Sequence, residues 1–404
     1  MVMTVHRAPW VLPIDAEPIA DGELAVRDGV VVAVGRDLGA ADDDHYVDHD
    51  GVLLPGLINA HTHLQYGPAF ADLASLDLPF PAWIAEVARR RRAFAETDWF
   101  EQAKASAAQA LSSGTTAVAD IVSNMSAAAG RAPLRGISYI EAVAADNAIW
   151  AIRERERVVA ALTADGETGL SPHTPFTLGT AAYADVVAIA RKAGLRLHPH
   201  LAESTAEVEF VARGTGSLAE MLAGIGLEME LINRGCGLTP TGYLDSLGAL
   251  GPDVHVAHGV HVDTADRALL RRRGTAVALC TRSNRILHAG EAPVAAYRAE
   301  GNPVAVGTDG LSSCPDLDVL AELRALGDLA LRQGTEPDGL DRWLVEAATA
   351  GGSAALGRHE IGRLAPGTRA DFAVVQGEPS SNPYTTVVRG RAVATYLAGE
   401  RVWG

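Results

Sequence analysis

Two histidines, His61 and His63, stand one residue apart at the end of the short apolar segment 53–60. On a β-strand, residues i and i+2 project from the same face, whereas on a helix they point in different directions. A strand here would aim both imidazoles at one point, where their nitrogens could bind zinc or iron. An isolated pair of this kind is usually structural, so the metal interpretation depends on further ligands.

Further metal-competent side chains stand at the ends of four later apolar segments: His173, His200 with Glu203, His258, and Asp309. Each has an ordinary explanation when taken alone, such as a turn for an aspartate that precedes a glycine. Their shared position at segment ends makes coincidence a poor explanation. The pattern predicts one metal site to which several strands contribute.

The elements that must position these residues alternate between apolar segments and longer helical patterns. Helical patterns at 98–114, 181–194 and 264–274 lie between the segments. Repeated βα units predict a (β/α)8 barrel over residues 55–359, with its active site at the C-terminal ends of the strands. The eight predicted strands are 53–63, 115–122, 135–143, 168–176, 195–203, 254–260, 276–284 and 303–310.

Both chain ends have a different pattern from the middle. Residues 1–54 and 360–404 consist of short alternating segments with Gly-Asp and Ala-Gly turns, including 385–403 near the end. Such patterns are typical of antiparallel strands. The sequence therefore predicts a small β-sandwich domain that is built from both ends of the chain.

Composition restricts the class of function. The 404 residues carry a formal net charge of −16, which disfavours nucleic-acid binding through phosphate contacts. No apolar run approaches the roughly 20 residues that span a bilayer, and the N-terminus does not resemble a signal peptide, so we expect a cytoplasmic protein. Three distant cysteines provide neither a disulfide framework nor a Cys-x-x-Cys zinc motif.

The segments PGLINAHTHL, HLAES, AHGVH, GTDG and IGRLAPGTRADFAVV resemble the amidohydrolase superfamily, most closely its nucleoside and aminohydrolase deaminase branch. The resemblance covers essentially the whole chain, and this combination of motifs in this order is highly specific. It implies one divalent metal, Zn²⁺ or Fe²⁺, with a bound water. The implied ligands are His61, His63, His200 and Asp309.

The same resemblance implies hydrolytic deamination of an aminopurine nucleoside. Asp309 would accept a proton from the metal-bound water, and His258 would hydrogen-bond the attacking oxygen. Glu203 would transfer a proton to the ring and then to the leaving amine. His198 repeats the His-x-His spacing with His200, but the His-x-x-Glu motif starts at His200, so His198 is expected to be structural.

Residues 80–92 resemble the aminodeoxyfutalosine deaminases, enzymes of the futalosine route to menaquinone. Relatives that act on methylthioadenosine and S-adenosylhomocysteine have a ribose-binding glutamate in this region, whereas this chain has arginines. Arginine suits a substrate carboxylate, such as the benzoate of aminodeoxyfutalosine. The expected substrate-binding residues are His173, Trp83, Arg91, Arg92 and Arg282.

Several alternatives remain open at this point. The enzyme could deaminate adenosine, methylthioadenosine, S-adenosylhomocysteine or guanine, or it could be a chlorohydrolase or cyclic amidohydrolase of the same superfamily. A non-enzymatic scaffold is disfavoured by the complete set of ligands and acid–base residues. A homodimer is expected, although the sequence does not define the oligomeric state, and it does not distinguish zinc from iron.

Overall fold

The computed structural model describes residues 3–38, 45–162, 166–227 and 229–404. Its strands, in chain order, are β1 (Thr4–Val11), β2 (Ile19–Arg27), β3 (Val30–Gly35), β4 (His45–Asp48), β5 (Val52–Pro55), β6 (Leu57–Thr62), β7 (Thr115–Val122), β8 (Arg135–Ala142), β9 (Thr168–Pro172), β10 (His200–Leu201), β11 (His255–His258), β12 (Ala276–Leu279), β13 (Val304–Val306), β14 (Phe372–Gln376), β15 (Arg391–Leu397) and β16 (Glu400–Trp403).

The α-helices are α1 (Phe80–Arg91), α2 (Glu96–Ser112), α3 (Met125–Gly130), α4 (Asn147–Ile149), α5 (Arg155–Ala160), α6 (Thr180–Ala193), α7 (Thr205–Arg213), α8 (Ser217–Gly224), α9 (Pro240–Ser246), α10 (Thr264–Arg273), α11 (Thr281–Ile286), α12 (Val294–Glu300), α13 (Val319–Arg332), α14 (Leu340–Glu346), α15 (Gly352–Leu356) and α16 (Pro383–Arg389). Residues Pro68–Ser75 form a 3₁₀ helix, and Trp150–Glu154 and Ala347–Gly351 are π-helical turns. Within the described ranges, no helix combines the length and apolar character that a membrane span requires.

Eight parallel strands from the middle of the chain form two sheets, with the orders β6-β7-β8-β9 and β10-β11-β12-β13. Parallel bridges from Leu197 to Leu170 and Val254 connect the two sheets along one side. On the other side, the amide of Asp309 donates to the carbonyl of His61 at 3.0 Å. The eight strands correspond to the eight predicted apolar segments, and their C-terminal ends lie on one common edge.

The fifth predicted strand is the least regular of these. Only His200 and Leu201 form a ladder, and Leu197 makes isolated bridges. Pro199 interrupts the segment, because proline has no amide hydrogen to donate to a neighbouring strand. The long strand expected over 195–203 is therefore reduced to its end, where His200 lies.

The two chain ends pair in one mixed sheet with the order β16-β15-β14-β5-β1-β2-β3, and β4 pairs with β1. Side chains from both ends, including Leu24, Leu53 and Phe372, form a separate hydrophobic core. The predicted pairing of the chain ends is therefore observed. Their arrangement as a two-layer sandwich stays a prediction.

One predicted strand at the C-terminal end was wrong. Residues 385–389 belong to α16 rather than to a strand. The Asn382 side chain caps this helix by accepting from the Tyr384 amide, and Pro383 occupies the first turn, where its missing amide hydrogen is not needed. These start signals outweigh the strand preference of the threonines and valines that follow.

Candidate active site

Residues from both parallel sheets meet at the C-terminal edge of the strands. His61 lies at the end of β6 and His63 follows it, while Asp309 lies in the loop after β13. The Nε2 atoms of His61 and His63 are each 3.6 Å from Oδ1 of Asp309. This spacing places two imidazole nitrogens and one carboxylate oxygen around a common point.

Residues from β10 and β11 complete the cluster. Nε2 of His200 is 3.3 Å from Nε2 of His63, and Nε2 of His258 is 3.7 Å from Oε1 of Glu203. Three overlapping sets have all their ligand atoms within 4.8 Å of one another. These sets are His61, His200 and His258; His61, His63 and Asp309; and Glu203, His258 and Asp309.

Hydrogen bonds determine which nitrogen of His61 is free. Nδ1 of His198 lies 2.9 Å from the carbonyl oxygen of His255, which can only accept, so Nδ1 carries the hydrogen. Neutral His198 then accepts at Nε2 from Nδ1 of His61 at 2.8 Å. The Nε2 lone pair of His61 is left unprotonated at the centre of the cluster, as a metal ligand requires.

His258 is oriented in the same way by a residue on α11. Its Nδ1 lies 3.0 Å from the side-chain oxygen of Asn284 in α11, which accepts its hydrogen. Nε2 then carries a lone pair, and it is buried without a hydrogen-bond partner among the described residues. His258 can therefore accept a hydrogen bond from a water, or bind a metal, at Nε2.

The clustered imidazoles are held neutral. Burial, followed by the neighbouring histidines, lowers the pKa of His61 and His200 well below the ordinary value. Burial also lowers the pKa of His63 and His258. Neutral nitrogens with unused lone pairs, together with one carboxylate, form the donor set that zinc and ferrous iron prefer. The residues present therefore fit a divalent metal.

Asp309 is held in its ionised form despite its burial. Burial opposes ionisation, but His63, His258 and two serine hydroxyls outweigh it and lower the pKa of Asp309. Ser283 and Ser313 donate to Oδ2 at 2.7 and 2.8 Å. The other oxygen, Oδ1, accepts from the Gly310 amide at 2.8 Å and faces the histidines, so its second lone pair is available for a metal or for a proton.

Glu203 has the opposite character. Burial, reinforced by the negative charge of Asp309, raises the pKa of Glu203 well above its ordinary value, which favours the protonated form of this carboxyl. The turn that carries it is fixed by Glu207, whose two carboxylate oxygens accept from the amides of Ala202 and Glu203 at 2.8 and 2.9 Å. A positioned, protonated acid beside a metal cluster is suited to proton donation.

Three non-glycine residues at this edge have left-handed backbone conformations: Ala202 (φ 49°), His258 (φ 70°) and Asp309 (φ 62°). Such residues are uncommon outside glycine and are retained where surrounding contacts enforce them. Their position at three strand ends shows that the backbone is bent where the reactive side chains turn toward the centre.

The cluster lies at the bottom of a cavity of about 440 Å³. Its walls come from α1, from the segment around α4 and from residues after α7. The apolar lining includes Phe80, Trp83, Val87, Phe176, Met221, Leu222, Ile225 and Leu227. The charged lining above the cluster consists of Arg91, Arg92, Glu141 and Arg153.

Four of the five expected substrate-binding residues line this cavity. They are Trp83, Arg91, Arg92 and His173. Trp83 also donates from Nε1 to the Ser312 carbonyl at 2.9 Å, which attaches α1 to the loop after Asp309. Arg89 and Arg90, by contrast, form ion pairs with Glu86 and Asp72 outside the cavity.

Arg282, the fifth expected substrate-binding residue, does not line the cavity, and this assignment is corrected. Its guanidinium is buried and donates to Glu322 and Asp316 at 2.8 Å each. Further bonds reach the carbonyls of Asp316 and Asp318. Because its donors are already used, Arg282 connects α11 to α13 and has no free group for a substrate.

Sequence reasoning missed several residues that shape the site. Glu141 at the end of β8 and Tyr66 line the cavity, and Arg153 lies in the π-helical turn at its mouth. A signal for Glu141 was available, because it is a charged residue at the end of the third predicted strand. No local pattern identified Asn284, whose importance depends on contact with His258.

The described fold and site can now be compared with known proteins. Residues 52–393 match the amidohydrolase family. A 5-methylthioadenosine/S-adenosylhomocysteine deaminase from Haloarcula marismortui is 33% identical over 93% of this chain and 85% of its own length. The chain belongs to the amidohydrolase family.

Solved structures show the same fold. An aminofutalosine deaminase from Helicobacter pylori, in complex with methylthio-coformycin, superposes with a TM-score of 0.84 at 22% identity over 99% of this chain and 100% of its own. A zinc-bound adenosine deaminase from Xanthomonas campestris gives 0.82 at 24% identity over 99% and 92%. The predicted family and its deaminase branch are confirmed, and these relatives support an α/β fold of the TIM-barrel kind.

Proposed function

We propose that this protein is a metal-dependent deaminase that hydrolyses the 6-amino group of an adenine nucleoside and releases ammonia. One observation carries the proposal: a buried cluster of imidazoles and an aspartate stands beside Glu203, a carboxyl whose pKa is raised by burial, at the bottom of a cavity. The name of the Haloarcula relative supports a nucleoside substrate.

The metal site proposed here comprises His61, His63, His200 and Asp309. A divalent metal bound there would lower the pKa of a coordinated water toward ~7 and make it a nucleophile at neutral pH. Zinc is the first choice and ferrous iron the second, since both accept three imidazoles and a carboxylate.

The protein's own groups then move the protons. Asp309 accepts the proton of the attacking water at Oδ1, which faces the histidines and has one donor, the Gly310 amide, whereas Oδ2 accepts from two serines. His258 orients that water through the lone pair on Nε2. Glu203 delivers its proton to a nitrogen of the purine ring, then takes up the remaining proton of the added hydroxyl and passes it to the amino group. Ammonia leaves as the carbonyl forms, and the proton held by Asp309 restores the acid form of Glu203. Acid–base assistance of this kind contributes about 10²- to 10⁴-fold.

The substrate that we propose carries an acid on its 5′ side, as 6-amino-6-deoxyfutalosine does, which would place the enzyme in menaquinone biosynthesis. Support comes from the mouth of the cavity, where Arg92 is exposed and can bind a carboxylate. Arg153 is also exposed there, and it would have to exchange its ion pair with Glu154, at 2.9 Å, for the substrate. Arg91 is less available, because it faces Glu141 and hydrogen-bonds Tyr66. S-adenosylhomocysteine, which also carries a carboxylate, is the second candidate, favoured by the name of the Haloarcula relative.

The proposal includes the architecture that supports this chemistry. The two parallel sheets would close into one (β/α)8 barrel over residues 55–359, and residues 1–54 with 360–404 would form the second domain, as a β-sandwich. The bridges at Leu197 and the hydrogen bond from Asp309 to His61 support closure of the barrel on both sides.

A homodimer also remains part of the proposal.

Ammonia release from the purified, metal-loaded protein tests the function. The substrates are 6-amino-6-deoxyfutalosine, S-adenosylhomocysteine, methylthioadenosine, adenosine and guanine. We expect the highest kcat/KM for a nucleoside with a carboxylate, and an increase in its KM when Arg92 or Arg153 is replaced by methionine. A preference for neutral nucleosides would keep the chemistry and contradict the acidic substrate.

The variant Glu203→Gln is the control for the reaction itself. It should retain the metal and the fold but lose at least about 10²-fold in kcat, because glutamine cannot deliver a proton. Near-normal turnover by this variant would contradict the role of Glu203. Inactivity of the wild-type protein on every purine would redirect the search to cyclic amides and triazines.

A further inference from the structure

Glu141 is a buried acid in the cavity that the proposed reaction does not use. It lies near the end of β8, and its side chain is only 2% exposed. Among the described residues, none of the three sets that could bind a metal includes it. A charged group placed in the wall of a substrate cavity, away from the metal cluster, requires another explanation.

The neighbours of Glu141 are close but leave hydrogen-bonding capacity unused. Nη1 of Arg91 is 3.6 Å from Oε2, and Nε2 of His173 is 3.6 Å from Oε1. Oε2 has no hydrogen-bond partner within the described part of the chain. Leaving a buried carboxylate oxygen without a donor is unfavourable, so a donor from a bound molecule would be stabilising.

Glu141 is present as the carboxylate. Burial alone would raise its pKa, but His173, Arg91, His63 and Arg157 outweigh this effect, and the net result is a lowered pKa. Because Arg91 already balances the charge of Glu141, a second cation is not needed. Neutral O–H donors from a ligand fit the free acceptor positions better than another positive group does.

The position of Glu141 shows which part of a nucleoside it would meet. The ring of His173 is close to both Glu141, with Nε2 3.6 Å from Oε1, and the metal cluster, with its centroid 4.7 Å from that of His200. A group that contacts Glu141 therefore lies beside the reacting ring rather than at it. In a nucleoside whose base is at the cluster, that neighbouring group is the sugar.

We propose that Glu141 is a specificity residue that accepts hydrogen bonds from the vicinal 2′ and 3′ hydroxyls of the substrate ribose. Arg91 and His173 hold the carboxylate in place for this contact. This inference rests on the proposed function, since it requires a nucleoside in the cavity. It adds that the enzyme selects ribonucleosides over deoxyribonucleosides.

The test compares kcat/KM for adenosine, 2′-deoxyadenosine and 3′-deoxyadenosine in the zinc-loaded wild-type enzyme and in Glu141→Gln. The wild type should prefer adenosine by about 10- to 100-fold, the value of a hydrogen bond to a charged group. In Glu141→Gln, adenosine should lose most of this advantage, mainly through a higher KM, because the contact exists before and during the reaction.

Glu300→Gln provides the matched control. Glu300 is also paired with arginines, Arg267 and Arg271, but it lies outside the cavity, so its variant should keep the wild-type preference. Metal content and melting temperature of each variant show whether Glu141→Gln is folded. A folded variant with full discrimination between ribose and deoxyribose would overturn the role of Glu141.

The failure of this inference can be distinguished from the failure of the proposed function. If the wild type deaminates the three nucleosides at equal kcat/KM, the function stands and the role of Glu141 is refuted. If the wild type deaminates none of these nucleosides and none of the other purines, both proposals fall. A preference for adenosine that disappears in Glu141→Gln supports both.

Discussion

At the scale of single residues, the metal cluster depends on hydrogen bonds that point away from its centre. His198 accepts from His61, and its ring stacks on His255 at a centroid distance of 3.7 Å. Sequence reasoning assigned His198 a structural role, and the structure shows its specific contact, a hydrogen bond to His61, the proposed metal ligand. Hydrogen-bond partners of a metal-binding histidine determine which of its two ring nitrogens keeps a free lone pair for the metal.

We therefore expect His198→Phe to weaken metal binding by about 10- to 100-fold, because phenylalanine keeps the aromatic ring but removes the acceptor for Nδ1 of His61. The measurement is the zinc dissociation constant from competition with a chelator. His359→Phe, at an exposed histidine outside the cluster, is the control and should bind zinc normally. Equal affinities in both variants would show that the contact between His61 and His198 has no effect on the metal.

At the scale of elements, the transition from the sheet of the chain ends to the first parallel strand depends on one glycine. The apolar segment 53–63 was predicted as one strand, but it divides at Gly56 into β5 and β6, which belong to different sheets. A Cβ atom at Gly56 would lie 2.0 Å from Oγ1 of Thr116. The chain can pass from one sheet to the other here because glycine has no side chain.

Gly56→Ala should therefore lower the free energy of unfolding by about 1–3 kcal/mol, the usual range for overpacking a core. Urea unfolding, followed by circular dichroism, measures this change. Gly224→Ala is the control, because its Cβ meets no atom within 4 Å and the residue ends a helix. If both variants unfold at the same urea concentration, the close approach to Thr116 is not a constraint.

At the scale of the whole molecule, the domain that joins both chain ends contains a pair of histidines in contact, the buried His6 and the partly buried His49. His6 and His49 lie 3.0 Å apart between Nδ1 and Nε2, and both pack against Phe372 and Tyr396. Burial and then His49 lower the pKa of His6 to about 3. Burial and then Arg401 lower the pKa of His49 to about 4.

This pair should make the stability of the fold depend on pH. Both histidines bind protons near pH 6.5 when unfolded but resist protonation when folded, so the pair contributes stability above about pH 6.5 that decreases as the pH falls toward 4. We expect the urea midpoint of the wild type to fall between pH 7.5 and 5, and to fall less in His6→Leu/His49→Leu. The histidines of the metal cluster are unchanged in this double variant. If the urea midpoints of the wild type and the variant fall equally with pH, the pair of His6 and His49 is not the cause of the pH dependence.

Much of this protein follows from local sequence. The eight strand segments, the helices α2, α6 and α10, and the reactive residues at strand ends could be predicted, because strand ends and hydrophobic periodicity are encoded by neighbouring residues. The family resemblance then assigned roles to residues that the structure brings together, including His61, Glu203 and Asp309. These assignments required spacing and residue type, but no knowledge of distant contacts.

Only the tertiary structure decided which charged groups are free. Arg282 and Arg91 looked equivalent in the sequence, yet Arg282 is saturated by Glu322 and Asp316, while Arg91 faces Glu141 in the cavity. These partners are separated by 34 to 50 residues along the chain, so no local pattern links them. The sequence determined which chemical groups lie at the C-terminal edge of the parallel strands. Packing determined the partners of these groups, because the pairing of a buried charge depends on contacts between residues that are distant in the chain.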